Sequence, residues 1–200
     1  MVSGPWWSSE SAWRKVAISV TALMLAVLIV LTLDSVAKIT AGGPRVPAYA
    51  VINQRIYYRY DAARGYQIPV IGDAAPLFAT TLSEADAEAL VSLGKLTTQA
   101  KNCMNCHTLL GNGAYYAPDL TKAWLDPGWI DESVREKLLL ELLLDPAAHA
   151  RTFGTDRRMP NLGITEAEAR GVVAFLKWMA AIDTNGFPSG FTPLRQAGDP

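Results

Sequence analysis

Two cysteines, two histidines and the lack of any Lys/Arg-rich run are the first constraints in this 200-residue sequence. Two cysteines cannot build a disulfide scaffold for a chain of this length, and with two histidines they leave little room for a Cys₂His₂ zinc site. Charge of one sign is also missing: 18 basic side chains stand against 19 acidic ones, a net of −1. A balance so near zero, with no basic cluster, argues against an extended nucleic-acid-binding face. Half of the residues are hydrophobic and only 18% are charged, too apolar for a disordered chain. Setting aside about 30 residues for a membrane anchor leaves one ordinary domain with an additional arm.

The long uncharged run is Val16 to Leu33, 18 residues. As a helix it reaches roughly 27 Å, against a hydrocarbon core of about 30 Å. It shows no polar stripe of the kind a buried core helix carries, and it exceeds the apolar run of a cleaved signal peptide. It is expected to be a single transmembrane helix. Arg14 and Lys15 precede it, whereas Asp34 and Lys38 nearly cancel after it. The positive-inside rule therefore puts the N-terminus in the cytoplasm and the rest of the chain in the periplasm of a bacterium. Trp6, Trp7 and Trp13 would lie at the inner interface or pack against a partner subunit.

After this tail and anchor (1–40), Gly42, Gly43, Pro44 and Pro47 make a stiff break. Residues 41–82 read as a linker and an extended periplasmic arm, rich in tyrosine at 49, 57, 58, 60 and 66 among branched aliphatics, a strand-like composition that fits either a satellite hairpin packed on the main domain or a docking surface. From Ser83 the pattern turns helical. Helices are expected from Ser83 towards Cys103, over Ser133–Leu144, and from Thr165 onward with Val172, Val173, Phe175, Leu176 and Met179 on one face. Residues 83–184 form the main domain, and 185–200, rich in Gly and Pro, read as a flexible tail.

Cys103-Met104-Asn105-Cys106-His107 uses both cysteines in CxxCH, the attachment sequence of a c-type haem. One turn of chain brings two sulfurs to the vinyl groups, and the next residue puts an imidazole under the iron. A thioredoxin-type CxxC is the competing reading, but that motif follows a strand and lacks the histidine. The sixth ligand is then Met159, His149 or an open site. Met104 lies inside the motif, Met24 in the span, and Met179 on a core-facing helix. Met159 sits in Arg158-Met-Pro-Asn-Leu-Gly163, a loop that can hold a thioether rigidly, and a methionine suits an electron carrier. No carboxylate adjoins His149 in sequence to orient it.

These parts resemble a class I cytochrome c over about residues 83–182: a mainly α fold with a helix entering CxxCH, a Met-Pro loop and a closing amphipathic helix. By that resemblance Gly94 permits a close crossing of the first and last helices, with Phe175 or Trp178 as partner. The segments Asn102–Leu120 and Arg158–Gly163, with the N-terminal anchor, are similar to the small cytochrome c subunit of bacterial nitric oxide reductase. The resemblance implies a non-catalytic subunit with one covalent haem c. Such a subunit passes electrons from a soluble periplasmic donor, a cytochrome c or cupredoxin, to a large multi-span subunit with haem b and non-haem iron. It also implies that the Gly113 carbonyl and Tyr115 help hold a calcium ion at the interface between subunits. The tyrosine-rich arm and the segment Trp124–Trp129 depart from the familiar pattern. A free-standing membrane cytochrome serving terminal oxidases is the alternative. The chain itself has no second haem motif and no carboxylate pair in a plausible pocket with which to reduce nitric oxide.

Overall fold

Ser9 caps the longest helix of the chain, its hydroxyl accepting from the Ala12 amide. The computed structural model describes residues 8–129, 131–149 and 157–194; Trp6 and Trp7 lie outside them. That first helix, α1, runs over Glu10–Ile39, 30 residues, and none of its residues is buried. It contains the whole expected span and is long and apolar enough to cross a membrane. Asp34 and Lys38, one turn apart near its end, form an ion pair at 2.7 Å.

The tyrosine-rich region is the satellite hairpin of the two alternatives, and not a free extended arm. It is an antiparallel hairpin of β1 (Gln54–Asp61) and β2 (Tyr66–Ala74), in register Ile56↔Ile71 and Asp61↔Tyr66. Alternation along β1 puts Ile56 and Tyr58 inward, with 1% and 8% exposure. The hairpin is a lid on the helical core rather than a free limb: Tyr58 donates to the Ala180 carbonyl at 2.6 Å. The Glu84 carboxylate accepts from the Tyr49 and Ala50 amides, and Tyr49 stacks on Trp178. A second short hairpin, β3 (Thr108–Leu109) with β4 (Asn112–Gly113), follows the CxxCH segment.

Among the described residues four further α-helices follow: α2 (Glu84–Ala100), α3 (Glu132–Leu144), α4 (Pro146–His149) and α5 (Glu166–Ala180). Ser83 and Thr165 cap α2 and α5, and Thr165 with Glu168 makes a full capping box. Each such cap is worth about 1 kcal/mol. Helices α2 and α5 cross where two glycines meet. A Cβ on Gly94 would overlap the Gly171 carbonyl, and one on Gly171 would come within 2.8 Å of the Gly94 nitrogen. The expected partners of Gly94 were Phe175 or Trp178; Phe175 does touch, but the close approach is to Gly171. Glycine leaves no side chain to hold two backbones apart, and no pattern within one helix reveals which residue of the other it faces.

The chain beyond residue 184 also differs from expectation. As far as Leu194 it is folded onto the core rather than a flexible tail: Phe191 meets the Tyr58 ring edge-on, and Leu194 is buried with its amide bonded to the Leu125 carbonyl at 2.7 Å. Trp124 and Trp129 are core residues as well, 4% and 6% exposed. Two lysines are buried beside them. Lys122 Nζ donates to the Ile182 carbonyl and Lys177 Nζ to the Ala75 carbonyl, each at 2.7 Å. Burial pushes both ammonium groups down to about 7, with the Arg135 charge adding to it at Lys177, against the pull of Asp183 and Asp119 on Lys122 and of Glu136 and Glu132 on Lys177.

Candidate haem site

The chain leaves α2 through Asn102 in a left-handed conformation and makes a single 3₁₀ turn over Cys103–Asn105. That turn places Cys103, Cys106 and His107 on one wall of a cavity of about 470 Å³, within the range of about 300–1,000 Å³ common for cofactor sites. Leu139, Leu142 and Leu143 of α3, Val172 and Leu176 of α5, and Trp129 make the apolar lining. Met159 lines the same cavity from the loop before α5. Met179 is a buried core residue of α5, Met24 lies in α1, and neither they nor Met104 line it. His149 is also absent from the lining. Contrary to the reading from its sequence neighbours, a carboxylate does stand near it: Glu141 Oε2 lies 3.9 Å from His149 Nδ1, one helix earlier.

His107 is held by a group that sequence reasoning missed. Its Nδ1 donates to the Pro118 carbonyl at 2.7 Å. A carbonyl can only accept, so the proton is on Nδ1 and Nε2 of the neutral ring keeps its lone pair, the arrangement a metal-binding imidazole needs. The supporting loop is cross-linked through main chain. Tyr116 and Ala117 amides bond to the Cys106 carbonyl, Ala114 to Met104, and Leu120 to Thr108. Thr108 Oγ1 donates to Asp119 Oδ2 at 2.6 Å, and the Thr121 amide donates to Asp119 Oδ1 at 2.7 Å. Gly113 is required here, with φ +117 and its would-be Cβ overlapping the His107 carbonyl. Nothing in a single sequence marks a proline carbonyl as a histidine's partner.

Burial is the main cause that raises the Cys103 thiol above its ordinary range, with neighbouring Cys106 adding to it. A redox dithiol of the thioredoxin kind works through a depressed thiol, so the electrostatics disfavour that rival. Two thiols, a pre-oriented imidazole, a thioether lining the same cavity and an apolar lining are a donor set suited to a covalent haem.

Comparison with known proteins agrees. The cytochrome c family model matches residues 91–180. Over 112 residues the chain is 33% identical to the nitric oxide reductase C subunit of Stutzerimonas stutzeri, covering 56% of this chain and 73% of that protein. The corresponding protein of Paracoccus denitrificans is 32% identical over 109 residues, 54% of this chain and 70% of the other. For Cereibacter sphaeroides the figures are 34% over 100 residues, 49% and 65%. The chain belongs to the family of nitric oxide reductase C subunits. It is a cytochrome c electron-transfer subunit with a covalently bound haem c, and its fold is mostly helical with one apolar N-terminal helix fit to span a membrane.

Gly113 and Tyr115 occupy the hairpin side of the same loop. Tyr115 is 80% exposed, and its hydroxyl donates weakly to the Gly111 carbonyl at 3.4 Å. Among the described residues no three His, Cys, Asp or Glu side chains gather into a metal site.

Proposed function

We propose that Cys103 and Cys106 carry the haem as thioethers and that His107 and Met159 are its axial ligands. The observation that carries this reading is the cavity itself, which brings all four residues to one space with the His107 ring locked on Pro118. When bound, the haem supplies a one-electron couple, and a thioether ligand favours a raised potential. The protein's part would be to hold the His107 and Met159 donor atoms in place and to exclude water with Leu139, Leu142, Leu143, Val172 and Leu176. The subunit then relays electrons from a soluble periplasmic donor, a cytochrome c or cupredoxin, to a large multi-span subunit with haem b and non-haem iron. The basic pair Arg14–Lys15, inside α1 just before its uncharged run, supports a cytoplasmic N-terminus and a periplasmic haem domain.

The calcium assignment is narrower. A calcium ion takes about six to eight oxygens, and the Gly113 carbonyl with the Tyr115 hydroxyl supplies at most two. The rest would have to come from the partner subunit, so Tyr115→Ala should lower calcium retention in the complex while this haem is still reduced normally.

Two measurements test the reading. Purification from membranes is expected to yield a stoichiometric multi-span partner with haem b; a clean monomer would favour the free-standing cytochrome. Assayed anaerobically, the isolated chain is expected to accept electrons and make no N₂O, and sustained N₂O production by it would refute the electron-carrier assignment.

A further inference from the structure

Residues 157–163, which carry Met159, contain no helix or strand. Among the described residues, none of their main-chain groups bonds to main chain elsewhere. Two cations that line the cavity tie the segment instead, Arg157 from its first residue outward and Lys101 from outside onto its last. Arg157 Nη1 donates to the Tyr116 carbonyl at 2.8 Å, and its guanidinium carbon sits 4.8 Å from the centre of the Tyr116 ring. Lys101 Nζ donates to the Gly163 carbonyl at 3.0 Å and lies 3.6 Å from Glu168 Oε2. Both contacts lead back to the attachment segment. The Tyr116 amide is bonded to the Cys106 carbonyl at 3.1 Å, and Lys101 ends α2 two residues before Cys103. Arg157, Lys101 and Tyr116 all line the cavity.

We propose that Arg157 and Lys101 are positioning residues, a two-ended clasp that holds the Met159 loop across the cavity from the Cys103–His107 segment. The inference rests on the reading of Met159 as an axial ligand. A loop with no internal ladder samples open states readily, and a thioether on such a loop leaves the iron whenever the loop lifts. Ties at both ends restrict that motion to the few residues between them. The two cations are not equivalent. Arg157 bonds a carbonyl and stacks on a ring at once, which a planar guanidinium can do and an ammonium does less well. Lys101 needs only a point charge between the Gly163 carbonyl and Glu168. Neither contact replaces the thioether; each raises the fraction of time it is in place.

The test uses the full chain with its covalent haem, oxidised, at one fixed pH, with imidazole as the incoming ligand. Its binding rate reports how often Met159 leaves. Both contacts are partly solvent-screened, so Arg157→Ala and Lys101→Ala are each expected to speed imidazole binding by about threefold, and the pair together by about tenfold. Arg157→Lys should fall between Arg157→Ala and the parent. The long-wavelength absorption band of methionine-ligated ferric haem should weaken in the same order, while thermal unfolding of the domain changes little. Unchanged imidazole rates in both alanine variants, with Met159→Ala fast, would overturn the clasp and leave the ligand assignment standing. If Met159→Ala binds imidazole no faster than the parent, the ligand assignment fails and the clasp fails with it. A general loss of thermal stability that accounts for the faster binding would likewise overturn a positioning role.

Discussion

On the wall of the cavity that carries His107, the main chain is bonded to itself at Cys106, Met104 and Thr108, and the imidazole to the Pro118 carbonyl; on the wall that carries Met159, the ties are side-chain cations at the two ends of an irregular loop. The first wall is formed almost entirely by residues 103–121, so closing it costs little chain entropy and its ladder is local. The second is reached from residues 157–163 and must be brought across by contacts 41 and 62 residues apart in sequence. The His107 side chain is therefore fixed by the loop that bears it, and the Met159 side chain by its surroundings.

The sharpest way to break this comparison is at the covalent end. Cys106→Ser is expected to remove most covalently attached haem, seen as loss of haem stain on a denaturing gel, whereas Met159→Ala should keep the stain and lower the reduction potential. Retention of full stain by Cys106→Ser would put the attachment elsewhere.

Gly94→Ala disturbs the frame that both walls share, since α2 delivers Cys103 and α5 carries Val172 and Leu176. The added methyl meets the Gly171 backbone, which has no side chain to swing away. A loss of about 3 kcal/mol in urea unfolding is expected. A nearly neutral result would mean that the helices separate cheaply.

Asp119→Ala takes two acceptor contacts from the His107 wall, those to Thr108 Oγ1 and the Thr121 amide. A destabilisation of about 2 kcal/mol follows, with imidazole binding also faster if the ladder on that side is what steadies His107. An effect on unfolding with no change in ligand exchange would separate the wall's stability from its control of the iron.

The buried lysines sharpen the comparison through pH. Lys122 and Lys177 are held down to about 7 by burial, while an unfolded lysine keeps its proton to about 10.4. Between those values the unfolded chain binds more protons, so folding stability rises with pH, by at most about 1.4 kcal/mol per unit per lysine. Below about 7 both states hold the proton and the slope vanishes. Lys177→Met should roughly halve the slope measured by denaturation between pH 7 and 9, because Lys122 remains. An unchanged slope would assign it to other groups.

What was legible in the sequence was local. CxxCH, the apolar span, the Ser83 and Thr165 caps and the face of α5 all depend on residues within a turn or two of one another, and each appears in the structure at the positions expected. That Met159 lines the cavity was open to sequence reasoning for a related reason: few methionines compete, and only one sits in a Pro- and Gly-containing loop before the last helix. The comparisons bear out the family resemblance, which rests on two short segments of this kind.

The rest was decided by tertiary structure. Whether the tyrosines form a limb or a lid depends on Tyr58 reaching Ala180, 122 residues away. That residues 185–194 pack rather than hang free depends on Leu194 meeting Leu125, and Gly and Pro content alone does not report that. The partner of Gly94, the tautomer of His107, the burial of Lys122 and Lys177 and the ties on the Met159 loop are likewise contacts between distant stretches. Secondary-structure signals come from neighbours along the chain, so the sequence by itself determines them. A hydrogen bond to a distant carbonyl leaves no mark on the sequence around either partner, so only the folded chain decides it.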